Sequence, residues 1–402
     1  MLIRLVFPAW ERLASQTRFI LPPLGVALVA ALTPREHEVI ICDENLAPVD
    51  LSAEADLVGI SVLLAAQLPR ALALADAFRS RGIPVVLGGL SAGFDPDLVR
   101  PHVDALVLGE AEGVWKQVVR DAARGRLEPV YRGPAAAPSR ILLPRRELLR
   151  PGLYNYRGVR MMELVETSRG CGQDCFICAV PRLYGRRFRP RPMAAVEREL
   201  AAVESERIYL VDASLEQSEA HQRRLFPVLG AARKAWVSHP ISMRPDLLAL
   251  AARHGCWYVY QGVVSPSRAL ARKIRLLHEH GIGVEAAVLL GDDSQGPDIF
   301  PRLLEFLIET GTDIADFTML VPIPGSPTHE RFRREGRLLH KDWGLYNGAH
   351  AVFQPARMSP EQLEAGYHYL WREYYREKSQ QSRMFALFRR LEGRPGAPRP
   401  SA

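Results

Sequence analysis

Three cysteines lie close together in one loop of this 402-residue chain. Cys171, Cys175 and Cys178 are separated by three residues and then by two, and Gly170 and Gly172 flank the first of them. Thiolates at this spacing can bind three irons of a four-iron cluster, a group that usually has four cysteine ligands. The fourth iron would then take a ligand from outside the polypeptide. The triplet therefore predicts a cluster that takes part in chemistry.

Two other interpretations of the triplet have less support. A structural zinc site needs a fourth ligand, and the nearest downstream histidines, His221 and His239, lie more than 40 residues beyond Cys178. Three unrelated buried thiols are not expected to gather in a polar loop that contains glycine. A zinc site remains the main alternative to the cluster.

The composition is that of a globular protein with more than one domain. Hydrophobic residues make up 48% of the chain, and a chain of this length is expected to divide into about two or three domains. The apolar segment Leu24–Leu32 is too short to cross a membrane, and no export signal is recognisable before it. We therefore expect a cytoplasmic protein without a membrane span, in which thiols stay reduced.

The formal net charge of the chain is +7, and it comes mostly from arginine. A basic surface can bind nucleic acid, but no recognisable nucleic-acid-binding motif accompanies these arginines. No specific nucleic-acid partner is therefore expected.

Residues 1–132 alternate between short apolar runs and amphipathic segments of helical length. This pattern predicts parallel strands covered by helices on both faces, a doubly wound α/β sheet of the Rossmann or flavodoxin type. Ligands bind such sheets beyond the carboxyl ends of the strands. The predicted strands are 2–7, 38–43, 56–61, 84–88 and 105–109. Their ends predict a ligand-binding crevice at Ser61, Gly88, Gly89, Gly109 and Glu110.

A linker rich in proline and arginine is predicted at residues 133–158. Alternating strands and helices resume over residues 159–328, where six strand-helix units fit a partial parallel barrel. Its predicted strands are 163–167, 207–212, 235–237, 256–262, 283–290 and 317–321. Because the cysteine loop follows the first of these strands, it is expected at the carboxyl, or active, face of the barrel. Residues 329–392 are predicted to be mostly helical, and residues 393–402 to be a disordered tail.

Taken together, these features resemble the radical SAM enzymes that carry a cobalamin-binding domain, the class B type. The resemblance covers nearly the whole chain and includes Phe176 in the second gap of the triplet, where it implies a contact with cofactor. It implies a [4Fe-4S] cluster on the three cysteines, S-adenosyl-L-methionine (SAM) on the open iron, and cobalamin in the first domain. The matching segments are 22–25, 43–45, 56–61, 85–89, 108–112, 322–327, 335–337 and 342–343.

The chain departs from the pattern of this family at several positions. Ser91 stands where a histidine is frequent. The chain also lacks the Asp-x-His-x-x-Gly loop that supplies an axial histidine in many cobalamin proteins, but relatives of this class commonly lack it too, so its absence decides nothing. Val264 stands where relatives have a carboxylate that would be expected to touch SAM. The strand-end residues that remain as candidate SAM contacts are Asp212, Ser214, Gly262 and Ser265, although the polar ones could instead cap a turn.

Two residues are candidates for direct contact with a substrate. Asp292, in the loop after the fifth barrel strand, could accept a proton or could merely open the next helix. Tyr260 lies on the fourth strand, where a side chain that faces the lumen would line a substrate cavity. Glu285, near the start of the fifth strand, is expected to be an edge charge away from the active face.

The resemblance implies an enzyme. The leading hypothesis is a cobalamin-dependent methyltransferase that acts on an unactivated carbon of a small, secondary-metabolic or lipid-like molecule. Two alternatives remain open: a radical SAM cyclase, oxidoreductase or rearrangement enzyme with cobalamin unreactive or absent, and a non-catalytic iron–sulfur or corrinoid-binding protein. The implied partners are a small-molecule substrate and an electron donor such as flavodoxin or ferredoxin.

Overall fold

The computed structural model describes residues 1–11, 21–156, 159–160, 162–376 and 378–392. Within these residues the chain forms two six-stranded parallel sheets, one in each half. None of the described helices is both long enough and apolar enough to cross a membrane. The tail predicted to be disordered, 393–402, lies outside the described residues.

The first sheet is doubly wound, as predicted, with the strand order β2-β1-β3-β4-β5-β6. Its strands are β1 (Leu2–Phe7), β2 (Glu38–Asp43), β3 (Leu57–Ser61), β4 (Val85–Gly88), β5 (Ala105–Gly109) and β6 (Val130–Gly133). Its helices are α1 (Leu24–Leu32), α2 (Leu68–Arg79), α3 (Pro96–Val99) and α4 (Trp115–Ala123). Strand β6 was not predicted, because a four-residue edge strand that contains an exposed arginine carries little periodic signal.

Alternate residues of these strands cover both faces of the first sheet. Leu57 and Val107 pack on one face together with Trp115 of α4. Ile60 packs on the opposite face together with Phe78 of α2. Because both faces are buried, the strands are nearly continuous apolar runs, which is why the sequence revealed them.

The second sheet has the sequential strand order of a partial barrel, β16-β15-β14-β13-β12-β9, which confirms the predicted architecture. Its strands are β9 (Glu163–Val165), β12 (Arg207–Leu210), β13 (Ala235–Ser238), β14 (Cys256–Val263), β15 (Gly283–Leu290) and β16 (Ile314–Met319). Helices on its outside are α6 (Met193–Ala202), α7 (Glu219–Ala231), α8 (Pro245–Arg253), α9 (Arg268–Glu279) and α10 (Ile299–Glu309). Strand β16 begins three residues before the predicted start, because the polar Asp316 lies within it.

Shorter elements flank the barrel. The two-residue strands pair antiparallel, β7 (Asn155–Tyr156) with β8 (Val159–Arg160) and β10 (Ser168–Arg169) with β11 (Arg189–Pro190). The remaining helices are α5 (Val180–Leu183), α11 (Pro327–Arg334), α12 (Pro360–Arg376) and α13 (Lys378–Glu392). Helix α12 begins with a capping box, in which the Ser359 N–H donates to Gln362 Oε1 at 2.9 Å and the Gln362 N–H donates to Ser359 Oγ at 3.2 Å.

The amino end of the barrel is closed by an apolar plug. Leu387 of α13 is fully buried there with Met162 and Trp257, and the Trp257 indole donates to the Leu387 carbonyl at 3.0 Å. The lumen is therefore accessible from its carboxyl end, where the cysteine loop emerges.

Gly89 follows β4 in a backbone conformation, φ 101° and ψ 178°, that is essentially restricted to glycine. A Cβ at this position would stand 2.4 Å from the Val62 carbonyl oxygen. We expect Gly89→Ala to lower the free energy of unfolding by at least about 3 kcal/mol, because strain and a backbone clash add. The control Gly82→Ala has φ 76° but open space around its Cβ, so its cost should be about 1 to 2 kcal/mol. Urea denaturation compares the two variants, and equal losses would contradict the close approach at Gly89.

Candidate functional site

A cavity of about 870 Å³ lies between the two sheets. The first sheet contributes the carboxyl ends of its strands, and all five residues predicted for its crevice line the cavity: Ser61, Gly88, Gly89, Gly109 and Glu110. The second sheet contributes Leu164, Tyr209 and His239 from its own strand ends. The start of the cysteine loop, Ser168 to Gly170, lies in the same wall. The two predicted ligand-binding edges thus meet at one volume.

The wall on the side of the first sheet is mostly apolar. Leu28 and Val29 of α1 and Trp115 of α4 line it. Gly25, at the start of α1, also belongs to this wall, and no atom lies within 4 Å of the position that its Cβ would occupy. A wide apolar cavity with a few polar groups at its edges is typical of cofactor and small-molecule sites.

The three cysteines of the loop are free thiols that differ in exposure. Cys171 is buried, Cys178 is half-buried and Cys175 is exposed. Backbone hydrogen bonds shape the loop, from the Cys171 N–H to the Gly185 carbonyl and from the Cys178 N–H to the Cys175 carbonyl, both at 3.1 Å. Burial, and then the negative charge of the neighbouring thiolates, raises the pKa of Cys175 and of Cys178. A bound cation or cationic cluster would remove this mutual repulsion.

Among the described residues, no three His, Cys, Asp or Glu side chains surround a single metal position. In an iron–sulfur cluster each cysteine binds a different iron. The loop offers three free thiols within eight residues. These are the ligands that such a cluster requires.

Phe176 contributes to the loop through its backbone. Its carbonyl accepts hydrogen bonds from the N–H and the Oγ1 of Thr328, at 3.0 and 2.9 Å. Phe176 as a whole residue is 38% exposed. The contact of Phe176 with a cofactor stays a prediction, whereas its contact with the start of α11 anchors the loop to the barrel.

Asp212 is a fully buried carboxylate that supports the same loop from β12. It accepts hydrogen bonds from the Thr167 N–H at 3.1 Å, from Thr167 Oγ1 at 2.8 Å and from Ser168 Oγ. Burial raises its pKa although these hydrogen bonds oppose the rise. Its oxygens are thus engaged by the chain just before Cys171. Ser214, by contrast, has a buried Oγ without a hydrogen-bond partner among the described residues.

Three further predicted residues also lie outside the cavity wall. Gly262 and Ser265 are exposed near the end of β14. Asp292 accepts hydrogen bonds from the N–H and the Oγ of Ser294, at 3.0 and 2.5 Å, so it shapes the turn before α10. The carboxylate beside it, Asp293, pairs with Arg337 and Arg331. Functional roles for these three predicted residues remain predictions.

Tyr260 lies in an aromatic group under the cavity. Its ring centroid is 5.3 Å from that of Tyr209 and 5.6 Å from that of His239, and both of these residues line the cavity. The Tyr209 hydroxyl is 3.0 Å from His239 Nε2. The sequence analysis does not identify Tyr209 and considers His239 only as a distant zinc ligand, although the alternation of β12 and β13 is a usable signal.

The expectation that Glu285 is an edge charge is wrong. In the register of the sheet, Tyr260 pairs with Glu285, and Ala287 pairs with Asp316. Since alternate residues share a face, both carboxyl groups face the lumen. Burial, and then the charge of Asp316, raises the pKa of Glu285 to about 8, although the Tyr258 and Tyr260 hydroxyls oppose the rise. Burial raises the pKa of Asp316 to about 6.

This buried carboxyl group should make stability depend on pH. Between pH of about 4.5, the ordinary pKa, and about 8, folded Glu285 keeps a proton that the unfolded chain releases. Its contribution to the free energy of unfolding therefore falls as pH rises, by up to about 1.4 kcal/mol per pH unit. We expect Glu285→Gln to remove this slope, whereas the exposed control Glu279→Gln should keep it. Thermal unfolding from pH 5 to 8 measures how the free energy of unfolding changes with pH. Equal pH slopes in the parent and in Glu285→Gln would show that Glu285 is ionised in the folded protein.

Comparison with known proteins agrees with both halves of this architecture. A model of the B12-binding domain matches residues 13–119. The chain is 25% identical to bacteriochlorophyllide d C-12(1)-methyltransferase of Chlorobaculum tepidum, over 93% of this chain and 85% of that protein. It is 22% identical to bacteriochlorophyllide d C-8(2)-methyltransferase of the same organism, over 84% and 82% of the respective chains.

A solved structure shares the fold across both halves. It is the radical S-adenosylmethionine methyltransferase TsrM from Kitasatospora setae, with tryptophan substrate and a SAM analog bound. The TM-score is 0.64 at 18% identity, over 83% of this chain and 76% of that one. The matched B12-binding domain and the cysteine-bearing barrel occur here in one chain and open on one cavity, so the chain is similar over both halves to the radical SAM enzymes that carry a cobalamin-binding domain.

Proposed function

We propose that this protein is a cobalamin-dependent radical SAM methyltransferase that acts on an unactivated carbon of a small, largely apolar molecule. The main support for this proposal is that the carboxyl ends of both sheets and the start of the cysteine loop line the same cavity. A methyl donor held by one sheet and a radical source held by the other would both face the same enclosed substrate.

The residues that would hold each cofactor follow from this arrangement. Cys171, Cys175 and Cys178 would bind the [4Fe-4S] cluster, and the crevice from Ser61 to Glu110 would bind cobalamin. When bound, the cluster supplies the electron that cleaves SAM, and cobalamin supplies the methyl group. The protein contributes position and shielding.

The chain's own groups account for the positioning. Asp212 holds the Thr167–Ser168 backbone and hydroxyls, so the loop leaves β9 in a defined direction. The Leu28, Val29 and Trp115 side chains exclude water from the wall of the first sheet. Exclusion of water protects a reactive intermediate from side reactions.

Two titratable groups in the lumen favour their neutral forms, whereas Asp316, with a pKa of about 6, is mostly ionised at neutral pH. Burial lowers the pKa of His239 and raises that of Glu285 to about 8, so both groups are biased towards their neutral forms at neutral pH. The aromatic surface of Tyr209 and Tyr260 suits a flat or hydrocarbon-rich molecule. The relatives named above act on bacteriochlorophyllide d and, in the solved structure, bind tryptophan, and a comparable ring-containing substrate is proposed here.

The electron donor is proposed to approach from the outer side of the loop. Cys175 is exposed there, and so are the side chains of Arg182, Arg186 and Arg187. A basic surface next to the cluster would attract an acidic electron carrier such as flavodoxin or ferredoxin.

The test is anaerobic reconstitution with iron, sulfide and cobalamin, followed by turnover of methyl-deuterated SAM under reducing conditions. We expect retained cobalamin, 5′-deoxyadenosine and S-adenosylhomocysteine, because one SAM is cleaved and another donates its methyl group. Cys175→Ala should reduce 5′-deoxyadenosine to background, since one iron loses its ligand. The matched control Cys42→Ala, in β2, should not.

Two outcomes would contradict the proposal. A protein that forms 5′-deoxyadenosine but retains no cobalamin would be a radical enzyme of another reaction class. A reducible cluster without any 5′-deoxyadenosine would indicate a non-catalytic protein.

A further inference from the structure

One arginine connects the cysteine loop to the first sheet. The Arg169 guanidinium lies within 3.0 Å of Glu110 Oε2 and 2.7 Å of Glu112 Oε1, both just beyond the end of β5. Its Nε lies 2.8 Å from Glu166 Oε2, in the segment after β9. The side chain of Arg169 is only 10% exposed. A single buried cation therefore joins carboxylates from both halves of the chain.

A second arginine completes the network. Arg189 contacts both oxygens of Glu110, with a distance of 3.2 Å from Nη1 to Oε2. It also donates to the Ala136 carbonyl at 2.6 Å and to the Tyr184 carbonyl at 2.9 Å. The Ala136 N–H donates to Glu110 at 2.8 Å. Glu110, predicted as a cofactor contact, thus has both oxygens occupied by protein groups.

The two arginines stand side by side on one small ribbon. Arg169 of β10 pairs with Arg189 of β11 in the antiparallel register. Cys171 follows Arg169 by two residues, and its N–H donates to the Gly185 carbonyl across the same ribbon. Any displacement of Arg169 relative to the first sheet would therefore move the first cysteine of the triplet.

The form of this contact indicates a role in positioning. Desolvation of buried charges largely offsets their attraction, so apolar side chains would join the two halves as firmly. A guanidinium that binds several carboxylates demands one geometry, which apolar contacts do not. Apart from the Arg189–Glu110 pair, contacts such as that of the Tyr154 hydroxyl with Asp43, at 3.0 Å, join the first sheet to the linker and not to the cysteine loop.

We propose that Arg169 is a positioning residue that sets the distance and orientation of the cysteine loop relative to the crevice of the first sheet. The inference rests on the proposed function, since it concerns the alignment of the two cofactor sites. Arg169 has carboxylates of the protein as its side-chain partners. It acts through Glu110 and Glu112, which keep the loop in register with the carboxyl end of β5.

The test compares Arg169→Lys and Arg169→Gln with a matched control, Arg191→Gln. Arg191 is a buried arginine next to the same ribbon, with a side chain even less exposed than that of Arg169, but it pairs with Glu199 and the Glu166 carbonyl, within the barrel half alone. All proteins are reconstituted with the cluster and with cob(II)alamin, and the cluster is reduced. Magnetic resonance then measures the spin–spin interaction between the two paramagnetic centres, which depends on their separation and orientation and needs no substrate.

We expect one defined interaction in the parent protein, and the same interaction in Arg191→Gln despite its lower unfolding temperature. Arg169→Gln should lose the defined interaction. Arg169→Lys should show a broadened one, because an ammonium is a point charge without the fork that binds several carboxylates. An unchanged interaction in folded Arg169→Lys and Arg169→Gln would overturn the inference. A parent protein that takes up no cobalamin would instead refute the proposed function.

A second measurement covers a variant that fails to bind the cofactors. Hydrogen exchange of segment 170–178 in the apoprotein should be faster in Arg169→Lys than in the parent and in Arg191→Gln. Equal exchange in all three proteins would also overturn the inference.

Discussion

The common direction of the strands is the constraint on which the rest of the structure depends. Within each six-stranded sheet the neighbouring strands run parallel, so every strand delivers the loop that follows it to the same edge. The edges of the two sheets line one cavity, with Gly88 and Gly109 on one side and Leu164 and Tyr209 on the other. Two ligand-binding edges thereby share a volume that neither sheet could enclose alone.

The pKa values of two carboxyl groups near this cavity shift in opposite directions. Burial acts to raise the pKa of Glu110, but the hydrogen bond from Arg189 and the charges of both arginines more than offset it, so the pKa is lowered. No arginine or lysine of the described chain pairs with Glu285, and its pKa is raised to about 8. For these two carboxyls the neighbours, and not burial alone, decide which one keeps its charge. Glu166 is an intermediate case, since burial raises its pKa to about 7 although Arg169 opposes the rise.

The pattern of apolar residues along the chain predicted most of the strands. It failed where a polar residue interrupts an apolar run. Strands β1 to β5 were predicted because continuous apolar runs are the mark of a sheet buried on both faces. Strand β6 was missed, and β16 was placed too late, since Arg132 and Asp316 break the apolar run. The same error hid Asp316 as a residue of the lumen. Glu285 lies near the start of β15, but the alternation of side chains along this strand places it on the face towards the lumen.

The sequence by itself predicted the candidate cysteine donors, the two parallel sheets and the strand ends that line the cavity, because these depend on spacing and periodicity along the chain. Only the tertiary structure decided which side chains remain free for a ligand. Asp212 is engaged by Thr167 and Ser168, and Glu110 by Arg189 and Arg169. These partners are between 44 and 79 residues apart in the chain. Such pairings arise from the packing of distant elements, and no local spacing encodes them.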